Sequence, residues 1–249
     1  MMIRLLKGCG IALGAIIVLL LLYVLFLGIC VLFVDKKKEY YQQSRFYRAL
    51  ADSLDTLILF FCRIRIHLDG EDKLPNDILY LLVGNHLSGF DPLITMHALR
   101  KEKLIFVSKP ENWNIPIAGR LAVRCCFRTI DRENARNALR TIQDCARLLD
   151  EKAGPVVIYP EGTRSKTGEL LPFHNGVFKI AQEAKVPIVV MSISGSPAIK
   201  KNAPWRRTDV TLRILSVLPA GKICTMRTAA IGNEVRSILQ GEEESEHGN

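Results

Sequence analysis

No charged residue occurs between positions 11 and 34 of this 249-residue chain, so that stretch cannot be an ordinary solvated surface helix. No A-x-A-like site follows it, which argues against a cleaved signal peptide. Aromatic residues are scarce, at 7%, and nowhere interleave with a basic stretch. With no zinc-finger or RNA-binding signature either, the formal net charge of +9 does not point to nucleic acid. The seven cysteines are odd in number and irregularly spaced, without C-x-x-C or a Cys/His spacing suited to zinc. That removes metal modules and disulfide scaffolds from consideration and leaves free thiols in a reducing compartment. A G-x-S-x-G elbow is also missing, which weakens a serine-hydrolase plan. There is no internal repeat and no long linker.

What is present begins with that apolar run. As a helix, its 24 residues would reach about 36 Å, enough for the hydrocarbon core of a bilayer. Arg4 and Lys7 precede it, whereas Lys36, Lys37, Lys38, Arg45 and Arg48 follow, so the rest of the chain is expected on the cytoplasmic side, at a bacterial cytoplasmic membrane. In a tethered protein, anionic lipid headgroups account for the positive charge. A second helix is expected over residues 40–66, polar in its first half and apolar over 54–62. It either dips into the membrane or packs on the soluble core.

Beyond residue 66 short apolar runs alternate with amphipathic stretches, the pattern of an α/β domain. Strands are expected at 78–83, 104–107, 126–130, 156–159, 188–192 and 210–217. Helices are expected at 133–151, 176–185 and 228–239, the first with Ala135, Leu139, Ile142, Ala146 and Leu149 along one face and Gly154-Pro155 as its stop. The organisation is therefore an N-terminal membrane segment with its second helix (1–66), an α/β domain (67–240) and an acidic tail (241–249) expected to lack structure.

Two segments carry chemistry. His86 follows an apolar run and should emerge at the end of a buried strand, where open α/β sheets bind ligands. Its imidazole could take a proton from a hydroxyl while Asp91, five residues on, holds the other ring nitrogen. Asp91-Pro92 also reads as a helix cap followed by a first-turn proline, and both roles can coexist. Ser88 is the obvious nucleophile, but it reads better as a turn residue. After the strand at 156–159, Glu161, Gly162, Thr163 and Arg164 supply a hydrogen-bond acceptor, close backbone approach and a guanidinium suited to phosphate. Lys109, Arg132 and Lys179 add positive charge near the same edge; each alone reads more readily as a solvated surface residue, and Lys109 and Arg132 gain weight because each follows an expected strand.

At these residues the chain resembles the glycerolipid acyltransferases. Asn85, His86 and Asp91 match that family's N-H-x-x-x-x-D block, and residues 160–165 match its F-P-E-G-T-R-S block, with Tyr159 in place of phenylalanine. Lys109, Glu111, Pro116, Gly119, the Ile130-Asp131-Arg132 end and Pro172-Phe173 with Gly176 also fit. The fourth block, V-P-I-V-P-V, reads Val186-Pro187-Ile188-Val189-Val190-Met191, without its second proline.

The resemblance implies a mixed sheet flanked by helices and acyl transfer to the sn-2 hydroxyl of lysophosphatidic acid, forming phosphatidic acid. His86, oriented by Asp91, would be the base, while Lys109, Arg132 and Arg164 would bind phosphate and Glu161, Gly162 and Thr163 would shape the site. It implies no cofactor beyond an acyl-CoA or acyl carrier protein thioester as co-substrate. Membrane lipids and a lysophospholipid acceptor would be the partners. Another lysolipid, glycerol 3-phosphate, or a membrane lipid-binding protein without turnover are the competing expectations.

Overall fold

The computed structural model describes residues 2–131 and 134–247. Helix α1 (Met2–Leu32) is long and apolar enough over Lys7–Leu32 to cross a membrane. Ile11, Leu19 and Leu21 on it are more than half exposed. Its last turns meet the rest of the chain: Leu27 and Val31 are buried against Leu50 and Ala51 of helix α2 (Arg45–Phe61) and against Leu121 and Cys125 at helix α4 (Ala118–Arg124). Tyr23 bonds Ser53 at 2.7 Å and the Tyr47 hydroxyl donates to the Cys30 carbonyl at 3.1 Å. Residues ascending α1 thus meet residues descending α2, and the two helices run antiparallel.

Helix α2 is shorter than the expected 40–66, because residues from Ile64 onward form strand β1 (Ile64–Asp69). Ile64, Ile66 and Leu68 alternate with Arg65, His67 and Asp69, a period of two that a helix cannot bury on one side. The fold therefore begins before residue 67. The face α2 turns inward carries Arg48, Asp55 and Leu59, while Phe46, Phe60 and Phe61 are exposed. Charge inside and aromatics outside reverse the usual arrangement of a surface helix.

The remaining strands are β2 (Leu81–Gly84), β3 (Ile105–Ser108), β4 (Arg128–Thr129), β5 (Val156–Ile158), β6 (Ile188–Ser194) and β7 (Thr208–Leu218). They form one mixed sheet in the order β1-β7-β6-β2-β5-β3-β4, parallel except between β6 and β7. Strand β2 lies at the centre, buried on both faces, as its uninterrupted apolar sequence requires. Each fully buried Leu or Val there contributes about 1.5–3 kcal/mol of burial.

Alternate strand residues feed two cores. Leu81, Val83, Val156 and Ile188 pack with helices α5 (Ala135–Asp150), α6 (Lys179–Glu183), α8 (Ala220–Ile223) and α9 (Thr228–His247). Leu82, Val157, Val189 and Met191 pack with α2 and with helices α3 (Asp91–Ala98) and α7 (Ile199–Asn202). Helix α5 lies inside the expected 133–151, capped by Asn134 accepting from the Asn137 N–H at 3.1 Å. Its expected face is buried from Ile142 onward, whereas Leu139 remains exposed. Gly154 ends the segment at φ 151°, with no space for a Cβ beside the Lys103 carbonyl. The expected helix at 176–185 is a 3-10 turn (Asn175–Phe178) followed by α6.

The acidic tail expected to lack structure continues α9 to His247, with Glu242 paired to Arg213 of β7. All seven cysteines are free, and burial pushes the thiols of Cys125 and Cys145 up to about 12.

Candidate active site

The β2–α3 connection leaves the sheet at Gly84, where a Cβ would lie 2.8 Å from the Met191 carbonyl of the neighbouring strand. Asn85 then pins the loop to β6: its side chain donates to the Ile193 carbonyl at 3.0 Å and accepts the Ile193 N–H at 2.8 Å. His86 emerges at this strand end, with its ring stacked on Tyr159 at 4.5 Å between centroids. Its Nδ1 is 2.9 Å from Asp91 Oδ2. A carboxylate only accepts, so Nδ1 carries hydrogen, and in the neutral ring Nε2 holds the lone pair.

Asp91 is completely buried at the first residue of α3, one position after Phe90, which occupies the cap. Its Oδ2 also accepts the Leu87 and Ser88 N–H groups, each at 2.7 Å, and its Oδ1 accepts the Ser196 hydroxyl at 2.5 Å. The carboxylate therefore serves the loop in front of the helix rather than capping the helix itself, and Pro92 follows it in the first turn. Four donors offset its burial. Ser88 is a turn residue here: its carbonyl accepts from Asp91 N–H at 3.2 Å and its hydroxyl accepts from Phe90 N–H at 3.3 Å.

The loop after β5 is bonded to the His86 backbone on both sides. Glu161, nearly fully buried, accepts the His86 N–H at 2.7 Å through one oxygen and the Leu171 N–H at 2.9 Å through the other. Burial holds its carboxyl above the ordinary range, and those two N–H groups work against that rise. The Ser165 N–H donates to the His86 carbonyl at 2.8 Å. Gly162 turns the chain at φ 75°, a conformation that favours glycine. Thr163 and Arg164 are exposed, and Arg164 Nη1 lies 3.4 Å from where a Cβ on Gly89 would sit, over the His86–Asp91 turn.

His86, Asp91, Glu161, Gly162 and Arg164 thus come together. Lys109 is exposed just past the end of β3, two strands from His86 along the same edge, and Lys179 is exposed at the start of α6. Arg132 falls outside the described residues. Sequence reasoning missed Ser196, which sits 105 residues from Asp91 with no local pattern to mark it. It also missed Thr95, whose hydroxyl bonds the Tyr159 hydroxyl at 3.2 Å. That contact gives the tyrosine at the phenylalanine position a partner inside α3, and burial, with the Asp91 charge, raises its phenol well above its usual range.

A family model described as Acyltransferase matches residues 65–194, just over half the chain. Among curated relatives, 1-acyl-sn-glycerol-3-phosphate acyltransferase from Cocos nucifera is 35% identical over 53% of this chain and 41% of that protein. The one from Chlamydomonas reinhardtii is 32% identical over 71% of this chain and 55% of its own length. Human 1-acyl-sn-glycerol-3-phosphate acyltransferase alpha is 28% identical over 73% and 65% respectively. The chain thus spans less than two thirds of the length of these relatives. The crystal structure of the 1-acyl-sn-glycerophosphate (LPA) acyltransferase PlsC from Thermotoga maritima shares the fold, with a TM-score of 0.67, 21% identity and coverage of 92% of this chain and 95% of that one. Since the matched residues include both bonded loops and the strands that position them, the chain belongs to the Acyltransferase family.

Proposed function

We propose that this protein transfers a fatty acyl group from an acyl thioester to the free sn-2 hydroxyl of lysophosphatidic acid, forming phosphatidic acid for phospholipid synthesis. The observation that carries the reading is the His86 ring, tied through Nδ1 to a fully satisfied Asp91 in a turn whose Gly89 faces the Arg164 guanidinium. His86 Nε2 takes the proton of the acceptor hydroxyl as its oxygen attacks the thioester carbonyl. The tetrahedral intermediate collapses with cleavage of the C–S bond, the new ester forms, and His86 gives its proton to the departing thiolate sulfur. The thioester is already activated, so no acyl-enzyme is needed.

Arg164, with Lys109 and Arg132, binds the acceptor phosphate, and a planar guanidinium suits its paired oxygens. Glu161, Gly162 and Thr163 shape that site, Glu161 by bracing both loops. The donor is acyl-CoA or an acyl carrier protein, either of which suits a basic surface. Helix α1 anchors the enzyme in a bacterial cytoplasmic membrane with the catalytic domain on the cytoplasmic side, in keeping with the basic residues after the apolar run. Helix α2, antiparallel to α1, turns Phe46, Phe60 and Phe61 toward lipid.

The test is acyl transfer from a labelled thioester to a panel of lysophospholipids, with wild type beside His86→Ala. Labelling of lysophosphatidic acid, lost in the variant, is the expected result; preferential labelling of another lysolipid would move the acceptor. For the phosphate, Arg164→Ala should raise KM for lysophosphatidic acid about tenfold or more, in line with a charge-assisted pair. Unchanged kinetics would remove Arg164 from that role.

A further inference from the structure

Trp205 is 83% exposed, the most exposed large hydrophobic side chain among the described residues. It projects from a loop that is held rather than free. The Arg63 guanidinium donates to its carbonyl at 3.0 Å, the Arg206 N–H donates to Asn202 at 2.7 Å, and the Asn202 side chain donates to the Thr208 hydroxyl at 3.0 Å. Behind the loop, Ile199 is completely buried as its anchor. Flanking Trp205 in the chain are the exposed cations Lys200, Lys201, Arg206 and Arg207, and the exposed Arg63 is the one that bonds its carbonyl. Asp209 engages Arg207 at 3.3 Å and His67 at 3.1 Å, whereas Lys200, Lys201 and Arg206 have no carboxylate partner among the described residues.

The patch continues onto α2. Phe60, 73% exposed, and Phe61 precede Arg63 by three and two residues. Because α2 runs antiparallel to α1, this end of α2 points the way the apolar N-terminal part of α1 extends. At the opposite end of α2, about 25 Å away for 17 residues, the exposed Lys36, Lys37 and Lys38 follow α1. An apolar helix face is thus bracketed by two cationic clusters, one of which presents a tryptophan. Tryptophan with lysine and arginine is the side-chain chemistry favoured at the boundary between acyl chains and anionic headgroups.

We propose that the Trp205 loop, with Lys200, Lys201 and Arg206, is a second docking point on an anionic lipid surface. It seats the indole among the headgroups and fixes the orientation of the domain relative to the membrane in which α1 is anchored. Charge complementarity and continuity with the exposed face of α2 favour lipid as the occupant. The inference rests on membrane attachment through α1 but not on the acyl-transfer reading.

The chain contains two tryptophans, so the full-length Trp113→Phe protein reports Trp205 alone, and the Trp205→Phe protein supplies the matching control. In phosphatidylglycerol-containing vesicles with bromine near the top of the acyl chains, Trp205 emission should shift to the blue and be strongly quenched. Lys200→Glu combined with Arg206→Glu should lower the docked fraction about fivefold or more for each charge lost. Co-sedimentation with the vesicles reads attachment through α1 separately, so failure of the anchor and failure of the loop give different results. A sedimenting protein whose Trp205 remains open to aqueous iodide and insensitive to bromine would overturn the proposal. Protection of Trp205 by an acidic carrier protein, but not by vesicles, would overturn it equally and assign the surface to protein docking.

Discussion

Two aspartates lie buried beside histidines in this molecule, and their surroundings differ. Asp91 is 2.9 Å from His86 and collects two backbone N–H groups and a serine hydroxyl besides. Asp55 on α2 is 3.3 Å from His97, but its Oδ1 has no partner among the described residues, and the charges acting on it are those of Asp52 and Arg48. Burial first, then the Asp52 charge, pushes Asp55 up to about 7, while burial and Arg100 push His97 down. A histidine–carboxylate pair is therefore not by itself a base and its orienter. What distinguishes the Asp91 pair is the set of donors that satisfies both oxygens of its buried carboxylate.

The largest expected effect separates the two histidines. His86→Ala should lower kcat about 10²–10⁴-fold, the usual worth of a positioned base, whereas His97→Ala should leave kcat unchanged. Steady-state acyl transfer on both variants checks the contrast, and equal losses would mean that the comparison misidentifies the site. Asp91→Asn comes next, with an expected loss of about 10³-fold in kcat at little cost in KM. An amide can donate to Nδ1 and leave the hydrogen on Nε2, the wrong tautomer for accepting a proton. A kcat close to wild type would show that orientation by Asp91 is dispensable.

Ser196→Ala probes the least visible donor. Removing the hydroxyl leaves Asp91 Oδ1 buried without its partner, at a cost of about 1–3 kcal/mol in stability. Ser196 acts through Asp91, so kcat per folded enzyme should fall about tenfold while KM moves little. Loss confined to the folded fraction, with kcat per active site unchanged, would make Ser196 a packing residue.

How much of this could be read from the sequence follows from how local each signal is. The apolar run of β2, the spacing from His86 to Asp91 and the Glu161–Arg164 turn are contiguous in the chain, and their placement at one sheet edge follows from parallel strands ending together. Ser196 and Thr95 reach the site only through tertiary packing, so nothing near His86 in sequence announces them. Strand β1 was legible in principle: Ile64, Ile66 and Leu68 alternate with polar residues, but six residues lie in the shadow of the longer apolar run of α2. The acidic end of α9 was misjudged on composition, which does not register that Arg213 on β7 waits for Glu242. On α2 the sequence suggested membrane or core, and the structure shows a charged face on the core and an aromatic face away from it.

The smallest effect concerns Asp55, and it tests the other half of the comparison. Its carboxyl is raised from an ordinary 3.8 to about 7, so between those values the folded chain keeps a proton that the unfolded chain has released. Its contribution to stability is complete below about pH 4 and is lost as pH rises toward about 7, with no further loss above. His97, held below its ordinary range, works in the opposite sense, so the useful quantity is the difference between Asp55→Asn and wild type rather than either curve alone. An amide of the same shape carries no charge to desolvate. The variant should therefore gain about 2 kcal/mol on wild type between pH 5 and pH 8, a rise of several degrees in Tm, with kcat unchanged. A difference in Tm that stays flat across that range would show that burial does not raise the Asp55 carboxyl, and the contrast between the two pairs would then rest on position at the sheet edge alone.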